Sequence, residues 1–378
     1  MKNKLSLHKT IENKTIVWFE KNNKYAVLEN TTADILKQLQ EKKSVKEIAA
    51  VVSQELNVPI EKTTDLILEL EKKFFTEKHS KHSDLENDFR DLKRPTSFEY
   101  IKFYKINNIV FKVSYFTEKE LAYVHPKFNH LTTDAVIKHQ NEFEVFIQHH
   151  HIFLFVDNAM IGSWNSNEIH YFQGKFSMEL IQKIHQKKEN DWLGVFHASA
   201  ISNGEKSILF LGDSGNGKST SLALLQANGF TCLADDFVPV DAEKQEVYSF
   251  PAAISIKKNS LETLLPIYPE LETSAEYNFK RLHKIVRYLK PNNTNFFSHL
   301  PCENLVFIKY QKDAVLNFQK ISKIDAFHKL IPDSWLSPKK ENAQNFLDWF
   351  SVLNCHQLTY SNNDEMIASV QKIFNDNI

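Results

Sequence analysis

Glycine is scarce in this chain: eight residues in 378. A chain so sparing with glycine keeps it for places where the backbone must bend tightly or approach a ligand closely. Cysteine is scarcer still. Cys232, Cys302 and Cys355 have neither disulfide nor metal-ligand spacing, which excludes a disulfide scaffold and fits a reducing, cytoplasmic setting. No apolar run reaches the ~18 residues of a spanning helix, so no membrane segment is expected. None follows Met1-Lys2-Asn3-Lys4 early on, so no signal peptide is expected either. An excess of charge is also missing. The net charge is −1, which removes any broad electrostatic case for nucleic acid. What remains is a chain that is 42% hydrophobic and long enough to bury two or three cores, without an internal repeat.

Three of the eight glycines fall within six residues, in Gly212-Asp213-Ser214-Gly215-Asn216-Gly217-Lys218-Ser219-Thr220. The pattern is G-x-x-x-x-G-K-[ST], a phosphate-binding loop. Ser207 to Leu211 reads as a buried strand before it. Ser219 to Asn228 reads as a helix after it, with Leu222, Leu224 and Leu225 available for burial and Gly229 as the stop. In such a loop, backbone N–H groups and the helix dipole hold phosphate, Lys218 adds charge, and Ser219 can ligate Mg²⁺. The bland alternative is a glycine turn without a ligand.

Seventeen residues beyond Lys218 come Asp235 and Asp236, at the end of the strand-like run Phe230 to Ala234. A right-handed β-α-β unit brings that strand parallel to the first, with its C-terminal end on the edge that carries the loop. One carboxylate could then hold the metal and the other take a proton from an attacking hydroxyl. Neighbours on a strand face opposite ways, which argues for separate roles. A solvated acidic turn is the competing reading.

These residues, with His197 upstream, resemble the catalytic region of HPr kinase/phosphorylase and its relatives, a group with a phosphoenolpyruvate-carboxykinase-like P-loop fold. The short spacing from Lys218 to the acidic pair is the specific part of the likeness. The resemblance implies an α/β P-loop kinase domain using ATP and Mg²⁺. It implies that His197 is an active-site residue, that Lys218 contacts phosphate, and that Ser219 and Asp235 serve the metal. Asp236 would be the proton acceptor. Thr220 stands where kinases acting on HPr itself have Glu, and their downstream metal-binding Glu has no clear match near Phe250-Pro251-Ala252-Ala253-Ile254. Both departures speak against a phosphorylase reaction and against HPr as substrate.

The first 77 residues read as a separate unit. Lys14 to Phe19 and Tyr25 to Leu28 are strand-like, with a hairpin turn between them. Thr31 or Thr32 is expected to cap a first helix, and Ser44 with Glu47 to form a capping box on a second. Pro59 is expected to open a third, with Leu66, Ile67, Leu70 and Phe74 at helical spacing. The run Tyr25 to Leu36, followed by Ser44 to Ala49, resembles the PqqD-like domains, which are winged-helix peptide binders. That implies a small α+β domain binding the leader of a ribosomally made precursor peptide by strand addition. Its groove would be the edge at Tyr25 and Val27 and the helix face carrying Leu66 and Leu70. An accessory domain with no peptide ligand is the alternative.

Residues 78–96 read as a polar linker and 97–378 as the kinase-like domain, whose front part carries strand-like runs from Ser97 to Trp164. Met178 to Lys187 reads as an amphipathic helix, Leu305 to Tyr310 as a late strand, and Asn342 to Leu353 and Asp364 to Phe374 as closing helices. His149-His150-His151, taken as a strand, sends His149 and His151 to one face, but no cysteine or clustered carboxylate completes a metal site. Lys257-Lys258 and the run Lys280 to Arg287 could reach nucleotide or substrate phosphates, or equally be solvated charge, which is the favoured reading. The joint expectation is an ATP-dependent kinase acting on a Ser or Thr of a leader-bearing peptide. Its rivals are a small-molecule hydroxyl kinase and an ATPase partner that transfers nothing. A homo-oligomer is left open.

Overall fold

The strand-period and helix-period segments fold into a mixed α/β protein, seen in a computed structural model that describes residues 6–76, 92–134, 138–279 and 284–376. The chain divides into two compact units. One holds Met1–Leu92, Ser322–Ile324 and Leu336–Ser351; the other holds Lys93–Ile321, Asp325–Trp335 and Val352–Ile378. Residues 77–91, which hold most of the linker expected over 78–96, lie outside the described residues, as do Lys280, Arg281, Leu282 and His283 of the basic run.

In the first unit a strand that the sequence reading missed, Ser6–Ile11, precedes the expected pair Lys14–Phe19 and Lys24–Glu29. All three are antiparallel, with Lys24–Glu29 at one edge. Helices Asn30–Gln40, Val45–Leu56 and Ile60–Glu71 follow. The strand runs directly into the first helix, whose N-cap is Glu29 with no side-chain bond, so Thr31 and Thr32 lie inside the helix instead of capping it. Ser44 and Glu47 do form the reciprocal box: Glu47 N–H donates to Ser44 Oγ at 3.2 Å, and Ser44 N–H to Glu47 Oε2 at 2.8 Å. Pro59 is the N-cap of the third helix. Strand alternation sends Val17 and Phe19 against Ala33 and Leu36 on one face of the sheet. Tyr25, on the other face, meets the ring of Phe346 edge-on at 5.4 Å. Phe346 belongs to the helix Lys340–Val352, which Lys9 also holds through Asp348 at 2.7 Å. A helix about 300 residues downstream thus completes the N-terminal unit.

The second unit contains a six-stranded sheet from Tyr100 to Asn165, backed by the helix Ile169–His185 through Phe172 and Phe176. His149 and His150 do not lie on a strand. They form the two-residue turn between Asn141–Gln148 and His151–Val156, both at positive φ, as a tight hairpin requires. The alternation expected for the three histidines therefore does not arise.

The central sheet of this unit positions the site. Its order runs Thr231–Asp235, Ser199–Ser202, Ser207–Leu211, His299–Tyr310, and then Glu246–Tyr248, Val238–Asp241 and Trp192–Phe196. Asn354–Tyr360 lies parallel along His299–Tyr310. Two successive antiparallel pairings give Thr231–Asp235 the same direction as Ser207–Leu211, with Ser199–Ser202 between them. The helix Lys218–Ala227 packs on one face of the sheet through Leu222 and Leu225, against Phe210, Val306 and Leu358.

Candidate functional site: a glycine loop facing two aspartates

The loop between Leu211 and Lys218 owes its path to its glycines. Gly212 has φ 139°, and a Cβ there would stand 2.8 Å from the carbonyl oxygen of Ile308. Gly217, at φ 93°, is the N-cap of the following helix and packs against Tyr310 and the Tyr360 hydroxyl. Both demand a residue without a side chain. Asn216 N–H donates to Asp213 O at 3.1 Å and Tyr310 N–H to Asn216 O at 2.9 Å, which pins the loop to the neighbouring strand.

Lys218 is only 7% exposed. Its ammonium folds back to the carbonyl of Gly212 and lies 3.5 Å from that of Asp213. Burial lowers its pKa, against the pull of Asp236, Asp235, Asp333 and Asp213. Ser219 Oγ donates to both oxygens of Asp235, at 3.1 and 3.0 Å. Asp235 is 2% exposed and also accepts from Ser199 Oγ at 2.6 Å and from Ser255 N–H at 3.0 Å. Burial, then the charge of Asp236, raises its pKa, while those hydrogen bonds lower it.

Asp236 follows in the left-handed region, at φ 63°, which turns the chain at the strand end. Its side chain lines the cleft together with Asp213, Ser214, Lys218, Ser219 and Thr220. His197 lies just past the strand Trp192–Phe196 and is exposed. Its Nδ1 is 3.3 Å from Asp236 O and 3.9 Å from Asp236 Oδ1. The loop, His197 and the acidic pair therefore meet at one sheet edge. The N-terminal residues Tyr25, Val27, Leu66 and Leu70 belong to the other unit. There Tyr25 packs on Phe346, Val27 is half-buried, Leu70 joins the core, and Leu66 is 43% exposed.

Several residues of the cleft escaped the sequence reading. Ser199 reaches Asp235 because the two are register partners on adjacent antiparallel strands. Ser255 lies on the strand Ile254–Lys257 and Asn259 and Ser260 in the turn after it, and Thr220 Oγ1 meets Ser260 Oγ at 2.7 Å. Lys257, for which the sequence left solvated charge and phosphate contact both open, enters the cleft with its ammonium 2.8 Å from Ser214 Oγ. Only Ser199 had a local signal, two residues after His197.

Fold and site together define a mixed α/β protein with a glycine loop between strand and helix facing two carboxylates. No protein-family model matches the chain, and no curated protein sequence does. Among solved structures the chain is similar to the HPr(Ser) kinase/phosphatase from Coxiella burnetii. Identity is 9%, over 48% of this chain and 95% of that one, with a TM-score of 0.23. So low a TM-score gives the likeness no weight on activity. Among the described residues no helix is long and apolar enough to cross a membrane.

Proposed function

We propose that the chain is an ATP-dependent phosphotransferase that moves the γ-phosphoryl group to a Ser or Thr hydroxyl of a ribosomally made peptide, held through its leader by the N-terminal unit. The observation that carries the transfer reading is the pairing of Ser219 with a buried Asp235 beside a second, accessible carboxylate, Asp236. A bare anion cradle needs neither carboxylate, and both repel phosphate. Their presence makes sense with a cation and a proton to manage.

Asp235 is 2% exposed and held by Ser199, Ser219 and Ser255, which keeps it out of reach of an incoming acceptor hydroxyl. Asp236 lines the cleft and suits the base role. In the reaction the acceptor hydroxyl gives its proton to Asp236, its oxygen bonds to the γ-phosphorus, and the bond to the β,γ-bridging oxygen breaks to release ADP. Lys218 offsets charge on the β- and γ-phosphates, and His197 beside Asp236 is placed to orient the acceptor. Ser219 and Asp235 offer only hard oxygen donors, a set that fits Mg²⁺, which would neutralise phosphate charge when bound.

The peptide part of the reading rests on the first unit. Its three-stranded sheet has Lys24–Glu29 at an edge, and the nearby sequence helix Ile60–Glu71 exposes Leu66 and Leu68. An edge strand and apolar side chains are what strand addition uses. Incubating the chain with Mg²⁺–ATP and leader-bearing peptides should add one phosphoryl group per acceptor, seen by mass, with matching ADP. Nucleotide binding with ATP consumed only to free phosphate would leave an ATPase and defeat the transfer reading.

A further inference from the structure

A second cavity opens on the other side of the loop, with a volume of about 590 Å³. It shares only His197 and Asp213 with the phosphate cleft. Its floor is the ends of two parallel strands. Phe307 and Lys309 face the cavity from one, and Gln357 and Thr359 from the other; register pairs Phe307 with Gln357 and Lys309 with Thr359. Its wall is the helix Lys323–Leu330, which contributes His328 and Lys329, and the turn that carries Asp333.

Resting on the phosphotransferase reading, we infer that this cavity is the acceptor pocket and that it selects an alcohol bearing an anionic group, a carboxylate or phosphate, close to the reacting hydroxyl. Lys218 decides which cavity takes the acceptor. The lysine of such a loop reaches the β- and γ-phosphates, and here its ammonium lies at Gly212 and Asp213, both of which border the 590 Å³ cavity. The terminal phosphate would then face that cavity past His197 and Asp213, which border both, with Asp236 on the cleft side 3.9 Å from His197.

The charge arrangement decides the acceptor's chemistry. Lys329 is pre-positioned: its ammonium sits 5.3 Å over the Phe307 ring and donates to Gln357 Oε1 at 3.1 Å. Gln357 is itself fixed by donating to Phe307 O at 2.7 Å. Lys309 projects from the adjacent strand, and among the described residues neither lysine forms an ion pair with a carboxylate. The cavity's own carboxylates, Asp213 and Asp333, act on Lys218 at the loop end instead. A concave site with uncompensated lysines away from the loop attracts an anion there. The carboxylate could belong to a free hydroxy acid or to an acidic residue beside a peptide Ser; the pocket recognises the same chemistry in both.

The test uses the full chain saturated with Mg²⁺–ADP and product-like probes, read by calorimetry. O-phosphoserine should bind at least tenfold more tightly than O-phosphoethanolamine, which lacks only the carboxylate. A phosphoserine peptide with Asp next to the phosphoserine, compared with its Asn counterpart, separates the peptide source from the free one. The double variant Lys309→Ala, Lys329→Ala should abolish the preference in whichever arm shows it, and Lys309→Arg should keep it. Circular dichroism and ADP affinity report that the variants are folded. Equal binding of the charged and neutral probes in both arms overturns the inference, as does a preference that survives the double variant. Failure of the wild-type chain to bind ADP at all would instead refute the underlying phosphotransferase reading.

Discussion

Lys218, Asp235 and Asp236 crowd one cleft, and each makes a different prediction. Lys218 is a buried cation whose carbonyl contacts at Gly212 and Asp213 would give way to phosphate. Lys218→Ala should lower transfer by about 10²–10³, the usual loss for one charge-stabilising donor. Full activity in a folded Lys218→Ala protein would remove the case for the loop. Asp236→Asn keeps shape but not basicity, and should cost ~10²–10⁴ in turnover at saturating Mg²⁺–ATP. Asp235 makes a stability prediction. Its carboxyl is held above the ordinary 3.8, first by burial and then by Asp236. A carboxyl whose folded pKa exceeds its unfolded one contributes stability that is complete below the unfolded value and is lost as pH rises through the folded value. Melting temperature should therefore contain a component that falls as pH rises above 3.8. Asp235→Asn, neutral throughout, should flatten it. Melts of both proteins between about pH 4 and pH 7 would test this, and identical slopes would count against it.

The loop and its flanking strand and helix work as one element, and its glycines are not equivalent. At Gly212 an added Cβ meets a backbone carbonyl at 2.8 Å, whereas at Gly215 it meets open space. Both residues have positive φ, so Ala at either costs about 1–2 kcal/mol of backbone strain. Gly212→Ala must in addition displace the loop from the His299–Tyr310 strand. It should lose ADP binding, measured calorimetrically, far more than Gly215→Ala does; equal losses would mean that the contact with Ile308 does not set the loop. Strand, loop and helix were legible because the glycine pattern and the burial of Leu222 and Leu225 follow from local sequence alone. Ser260 was not legible, and the partner of Ser199 was not, because these contacts are made through a turn about 40 residues away and through strand register.

At the scale of the molecule, the first unit is not built from its first 77 residues alone. Ala343, Phe346, Leu347, Trp349 and Phe350 are buried on a helix that belongs to it. Deleting residues 1–77 should uncover that apolar face, and at about 25 cal/mol per Å² such exposure favours aggregation. Static light scattering of the truncated chain should show association; a monodisperse, active truncation would contradict this. Leader capture is better tested by Leu66→Asp. That side chain is 43% exposed, so the fold should hold while strand-adding contacts weaken. Turnover of leader-bearing peptide at low concentration should fall while ADP affinity does not.

The sequence by itself determined the loop, the run of local elements and the nearness of Asp235 and Asp236 to Lys218, because each depends on backbone preferences or on a single short crossover. It also foretold the Ser44–Glu47 box, whose partners are three residues apart. Tertiary structure alone decided that His149 and His150 make a turn and that Tyr25 packs on Phe346. It also set Asp235 inside a cage of serines while leaving Asp236 in the open cleft. Those outcomes depend on pairings between distant segments, whose register no local pattern of side chains encodes.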